Sequence, residues 1–178
     1  MKVYTAVEEP EVAGDEIVCF LAGGITNCWD WQSAVIDELS KFDDTDKLVV
    51  FSPRRENFPI DDPNAAQEQI NWEFNYLHMA DIFSMYFASS ESVQPICMYE
   101  LGVHLTRFDL DDFPLECVVS VEEGYKRKDD VIIQAVLALD GENIVNTDAT
   151  PESHAQLIYE AYLEILNDDE EEQQNIWL

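Results

Sequence analysis

Residues Ile17 to Ala22, reading IVCFLA, are apolar in unbroken succession. No other feature constrains the fold as strongly. A half-exposed strand alternates apolar with polar residues, whereas a strand covered on both faces has no reason to. Such a strand belongs in a sheet with a layer on each side, and the rest of the sequence supplies those layers. Apolar or alternating runs recur at Leu48 to Phe51 (LVVF), Asp81 to Phe87 (DIFSMYF), Leu115 to Val121 (LECVVSV) and Asn143 to Asn146. The stretches between them carry helical spacing. Trp31, Val35, Leu39 and Phe42 recur along one face, with Asp30 placed to cap it, and Ile70, Phe74 and Leu77 form the stripe of a helix over Ala65 to Met79. Pro95 and Pro151 open two further helices at the position where a missing N–H costs nothing, and Asp129 to Leu139 supplies another. Residues before about Asp15 read as a polar lead.

Five strands alternating with helices predict an α/β fold, a doubly wound parallel sheet in the flavodoxin-like order 2-1-3-4-5. The whole chain, residues 1–178, reads as one domain with an acidic tail from about residue 167, of which Ile176, Trp177 and Leu178 are candidates to dock. In this order the first and third strands are neighbours, so the loops leaving them share a crevice at the carboxyl edge. Gly23 and Gly24 leave the first strand, where a glycine pair serves either a tight turn or close backbone approach to a ligand. The third strand leads into Gln94 to Gly102 (QPICMYELG), where Glu100 shares a helix face with Ile96 and Val103. A carboxylate on an apolar face either projects into a pocket or needs a partner. Glu73, one turn from both Ile70 and Leu77, is a second such carboxylate. Arg54 and Arg55 follow the second strand, placed to hold a substrate anion or to pair with nearby carboxylates; the acidic composition favours pairing.

That composition is extreme: 38 Asp and Glu against nine Lys and Arg, a formal charge of −29. A surface of this kind repels nucleic acid and anionic membranes. It resembles the lysine-poor surfaces of proteins from salt-loving cells, with mimicry of nucleic-acid charge as the competing reading; the ordinary hydrophobic content, 47%, favours the former. No apolar run reaches membrane-spanning length, and the four cysteines and three histidines form no CxxC or HExxH pattern. A soluble cytoplasmic protein with neither metal nor cofactor is the expectation.

The series FLAGGI (Phe20 to Ile25), Trp31 and Gln32, PRR (Pro53 to Arg55), QINWE (Gln69 to Glu73), ADI (Ala80 to Ile82) and YELG (Tyr99 to Gly102) resembles, in order and spacing, the nucleoside 2-deoxyribosyltransferase family. The resemblance spans about Ile17 to Ala138. It implies exchange of the base of a 2'-deoxynucleoside for a free nucleobase through a covalent deoxyribosyl-enzyme, with Glu100 as nucleophile. It further implies that Glu73 helps hold the base and that Gly23, Gly24, Asp81, Arg54 and Arg55 belong to the substrate-binding set. Gln94 joins them, standing where many members carry a base-contacting Asp. Many members also use a first-strand Tyr to bond the nucleophile; Cys19 stands at that position here, leaving Tyr99 or Tyr86 as substitutes. A homo-oligomer is implied as well. Two alternatives stay open: an N-glycoside hydrolase, with Arg54 and Arg55 on a 5'-phosphate, and a non-catalytic nucleotide-binding protein.

Overall fold

A computed structural model describes residues 1–110 and 115–175, with side chains through residue 168. Ile176, Trp177 and Leu178 lie outside the described residues. The chain runs β1 (Lys2–Thr5), β2 (Ile17–Gly23), α1 (Trp31–Leu39), β3 (Leu48–Ser52), α2 (Ala65–Met79), β4 (Ile82–Phe87), α3 (Pro95–Asp109), β5 (Glu116–Val121), α4 (Lys128–Ala138), β6 (Val145–Asn146) and α5 (Pro151–Asn175). The backbone of α5 carries the helix through Asn175, well into the stretch read as a tail.

All strand pairs are parallel, and the sheet order is β1-β3-β2-β4-β5-β6. From β2 onward this is the expected 2-1-3-4-5 order. The sixth strand, β1, is a correction to the polar lead. It adds to the outer edge of β3 in the register Lys2↔Val49 to Thr5↔Ser52, and apart from Tyr4, whose ring meets Phe51 edge-on, its side chains are exposed. A four-residue edge strand has almost no apolar face to announce it.

Alternation along the buried strands sends side chains to two separate cores. Phe20, Ala22, Phe83, Met85 and Phe87 meet Trp72, Leu77, Cys97, Leu101 and Val131 from α2, α3 and α4. Cys19, Leu21, Ile82 and Tyr86 meet Trp31, Val35, Leu39, Ile158 and Tyr162 from α1 and α5. Burying side chains of this size contributes about 1.5–3 kcal/mol each, which is why IVCFLA tolerates no polar residue. Because α1 leaves β2 on one face and α3 leaves β4 on the other, the chain parts between β2 and β4. That is the switch point, and the crevice opens there. Among the described residues no helix is long and apolar enough to cross a membrane.

Candidate active site

Two loops close against each other at the carboxyl edge, and glycine lets them. Gly23 has φ +151°, and a Cβ there would overlap the Tyr86 carbonyl and lie 2.6 Å from the Trp31 ring. A Cβ on Gly24 would sit 2.6 Å from both Cys28 Sγ and Gln94 Oε1. The space is taken by a staple. Gly24 N donates to Gln94 Oε1 at 3.1 Å, and Gln94 Nε2 donates to the Ala88 carbonyl at 2.7 Å. Trp31 Nε1 donates to the Gly24 carbonyl at 2.9 Å from below. Gln94 itself is left-handed (φ 46°, ψ 57°), turning the chain sharply so that Pro95 can open α3.

The resulting cavity, about 280 Å³, is lined by Phe20, Gly23, Gly24, Pro53, Glu73, Gln94, Cys97 and Glu100. Its two carboxylates come from facing helices. Burial, and after it the charge of Glu73, pushes the Glu100 carboxyl up to about 7. Glu73 is also raised by burial, partly offset by the hydrogen bond it accepts from Gln69 Nε2 at 2.7 Å. Gln69 is anchored in turn by donating to the Pro53 carbonyl at 2.6 Å. Among the described residues no side chain hydrogen-bonds Glu100.

Of the residues singled out from sequence, Gly23, Gly24, Glu73, Gln94 and Glu100 converge on this cavity, and three do not. Asp81 sits before β4, at the amino edge, where its Oδ2 accepts from Val18 N at 2.7 Å. Arg54 is consumed locally: its Nε reaches Gln32 Oε1 at 2.9 Å and Asp30 Oδ1 at 3.0 Å, and Nη2 donates to the Trp29 carbonyl at 2.9 Å. Arg55 lies over the Phe58 ring at 5.6 Å, its Nη1 buried without a hydrogen-bond partner among the described residues. Cys19 points into the α1–α5 core, on the face away from α3. Tyr86 gives its hydroxyl to Glu122 at 2.7 Å, and Tyr99 is exposed. None of Trp29, Trp31 and Trp72 lines the cavity; Trp31 and Trp72 are core, and Trp29 bonds Glu122.

A second hollow was not anticipated. It runs on from the first between α2 and α3, encloses about 370 Å³, and shares Glu73, Ile96 and Glu100 with it. Ile70 and Phe74 wall it at 58% and 60% exposure, although their helical stripe suggested core. His104 also lines it, stacked on Phe83 at 4.5 Å with both ring nitrogens buried and unpaired among the described residues. Burial, then His78 and Arg107, hold its ring neutral by pushing its pKa down to about 4. The spacing that put Ile96 and Val103 on the face of Glu100 also puts His104 there, at i+4. Among the described residues, no group of three His, Cys, Asp or Glu side chains is placed to hold a metal ion.

A family model described as "Nucleoside 2-deoxyribosyltransferase like" matches residues 16–109, just over half the chain and every element that lines both hollows. No curated protein matches it.

Proposed function

Because the chain belongs to the nucleoside 2-deoxyribosyltransferase-like family, which implies a nucleoside-type substrate, we propose that it exchanges the base of 2'-deoxynucleosides by double displacement at Glu100. The observation that carries this reading is the pair of facing carboxylates, Glu73 and Glu100, in one cavity at the switch point. Burial, and after it the facing charge of Glu73, disfavours ionised Glu100, and a cationic transition state reverses that unfavourable interaction. Breaking an N-glycosidic bond passes through such an oxocarbenium-like state.

In the first displacement the ionised Glu100 attacks C1' as the C1'–N bond breaks. The departing base takes a proton from Glu73, whose burial favours the protonated carboxyl over the carboxylate. In the second, an acceptor base returns its N–H proton to Glu73 while its nitrogen displaces Glu100, restoring the original anomer. Gly24 and the Gln94 staple fix the loops over the sugar, so Gln94 acts through the backbone it positions. Water competes with the acceptor for the intermediate, and its exclusion decides transfer against hydrolysis.

Incubation with deoxyinosine and adenine should yield deoxyadenosine. A 2'-fluoro-2'-deoxynucleoside should leave one sugar on the protein by intact mass, mapped to Glu100. Free base alone would move the assignment to a hydrolase, and a label on another residue would remove Glu100 as nucleophile.

A further inference from the structure

We propose that the groove between α2 and α3 receives the 5' end of the nucleoside, with His104 as the residue that binds an uncharged 5'-hydroxyl and sets specificity against a 5'-phosphate. The inference rests on Glu100 being the nucleophile. In-line displacement puts the leaving base on the far side of C1' from the attacking carboxylate, so the base cannot lie along α3 beside Glu100. What lies beside Glu100, in the plane of the furanose, is the rest of the sugar, ending in C4' and its 5' carbon. His104 is one helical turn from Glu100, about 5–6 Å between Cβ atoms, so one furanose can meet both side chains.

Polarity supports the same occupant. At 1% exposure with neither nitrogen paired, His104 holds a buried hydrogen-bonding capacity that nothing in the described structure uses. An unmade buried hydrogen bond is costly, and a hydroxyl, which both donates and accepts, can satisfy either nitrogen of a neutral imidazole. Ile70, Phe74, Leu77, Ile96, Tyr99 and Val103 make most of the remaining wall apolar, His78 is its other polar residue, and among the described residues no Lys or Arg lines it. A phosphate would therefore be desolvated beside Glu73 and Glu100 with no Lys or Arg of the lining to receive it. The groove extends beyond what a hydroxyl fills, so an apolar 5' substituent fits where a phosphate does not.

Calorimetric titration of the Glu100→Ala protein, which cannot turn substrate over, tests this with four ligands in molar potassium chloride to screen the overall charge. Deoxyadenosine should bind roughly tenfold tighter than 2',5'-dideoxyadenosine, the upper range for one neutral hydrogen bond. The 5'-monophosphate should bind at least as poorly as the dideoxy compound, whereas a 5'-methylthio analogue should be accepted. Adding His104→Phe, which keeps the stack on Phe83, should collapse the hydroxyl preference to within about twofold. A hydroxyl preference unchanged by His104→Phe, or a monophosphate bound as tightly as the nucleoside, overturns the inference and leaves the transferase reading standing. If none of the four ligands binds, both fall together. Loss of an oligomer in Phe74→Asp with unaltered discrimination would assign the groove to a second copy of the chain instead.

Discussion

His154 and His104 are both sealed from solvent, at 0% and 1% exposure, on opposite faces of the same sheet. His154, on α5, meets Ser84 Oγ at 2.7 Å through Nε2 and Ser120 Oγ at 2.8 Å through Nδ1. Asn146 extends the network to Ser120 and Ser153. His104, on α3, has no partner for either nitrogen among the described residues. The difference extends beyond the two rings. On the α2–α3 face Gln69 Oε1 is also buried and unpaired, and Glu73 and Glu100 are held near each other against their mutual repulsion. Gln32 Nε2 on α1 is the other face's buried unpaired atom among the described residues, but that face has a satisfied network around His154, whereas the α2–α3 face leaves a whole imidazole unpaired beside two carboxylates, at a cost in stability. On the proposed function, opposite faces of one sheet divide between holding the fold and performing chemistry.

Substitution at Glu100 should produce the largest effect and should affect only the second role. Glu100→Gln should lower turnover on the order of 10³-fold or more, because an amide cannot form the glycosyl ester. Its melting temperature should not fall. A variant that unfolds, or one that turns over normally, would erase the division between the faces.

Next in size is the contrast between the histidines themselves. His154→Leu strands the Ser84 and Ser120 hydroxyls in the core and should cost about 2–4 kcal/mol of stability, while whatever protein folds keeps its activity. His104→Phe strands nothing and should leave stability within about 1 kcal/mol of the parent. Chemical denaturation of both variants measures this directly, and equal losses would show that pairing in the described structure does not report on role.

Titration sharpens the comparison further. Glu100 has a folded pKa, about 7, above its ordinary carboxylate value. Its protonated form favours folding, so that stability is present at low pH and is lost as pH rises through 7. His154 is held down to about 3 by burial. Its contribution is present above the ordinary histidine range and is lost as pH falls towards 3. Glu116, raised to about 7 by burial and then by Glu164 and Asp168, titrates in the same range, so variant-minus-parent differences are the useful quantity. The stability advantage of Glu100→Gln over the parent should grow by about 1 kcal/mol from pH 5 to pH 8, allowing for partial solvent access. An advantage that shrinks with pH would mean Glu100 is not desolvated.

The fold was legible because the strongest signals were long-range consequences of burial. Four apolar runs, with helical stretches between them, leave little besides a doubly wound sheet, and only β1 escaped, being short, exposed and at an edge. The shared cavity of Glu100 and Glu73 was foreshadowed for the complementary reason: a carboxylate on an apolar stripe violates the pattern around it. Asp81 and Arg54 lie outside the cavity lining, which the sequence could not show because residue type carries no direction. An Asp before a strand can tie an amide as readily as a ligand, and an Arg in an acidic chain finds Asp30 within reach. Gln94 lines the cavity, but its use of both amide atoms on loop backbone depends on a left-handed turn that its sequence does not advertise. His104 was hidden by its own burial. A lone histidine on an apolar helix looks like core until its unpaired nitrogens are seen.

The smallest expected effect separates the two causes of the high Glu100 pKa. Burial ranks ahead of the charge of Glu73, so removing that charge should bring the pKa down only in part. In Glu73→Gln turnover falls with the loss of the proton donor, and the acid limb of the turnover that remains, which reports ionisation of Glu100, should move to lower pH by less than about one unit, while stability changes little and base preference shifts. A limb that drops fully to the ordinary carboxylate range would make the facing charge the cause and leave the crevice well hydrated. A limb that does not move would mean the two carboxylates do not sense each other. In that case the asymmetry between the faces of the sheet would rest on desolvation alone.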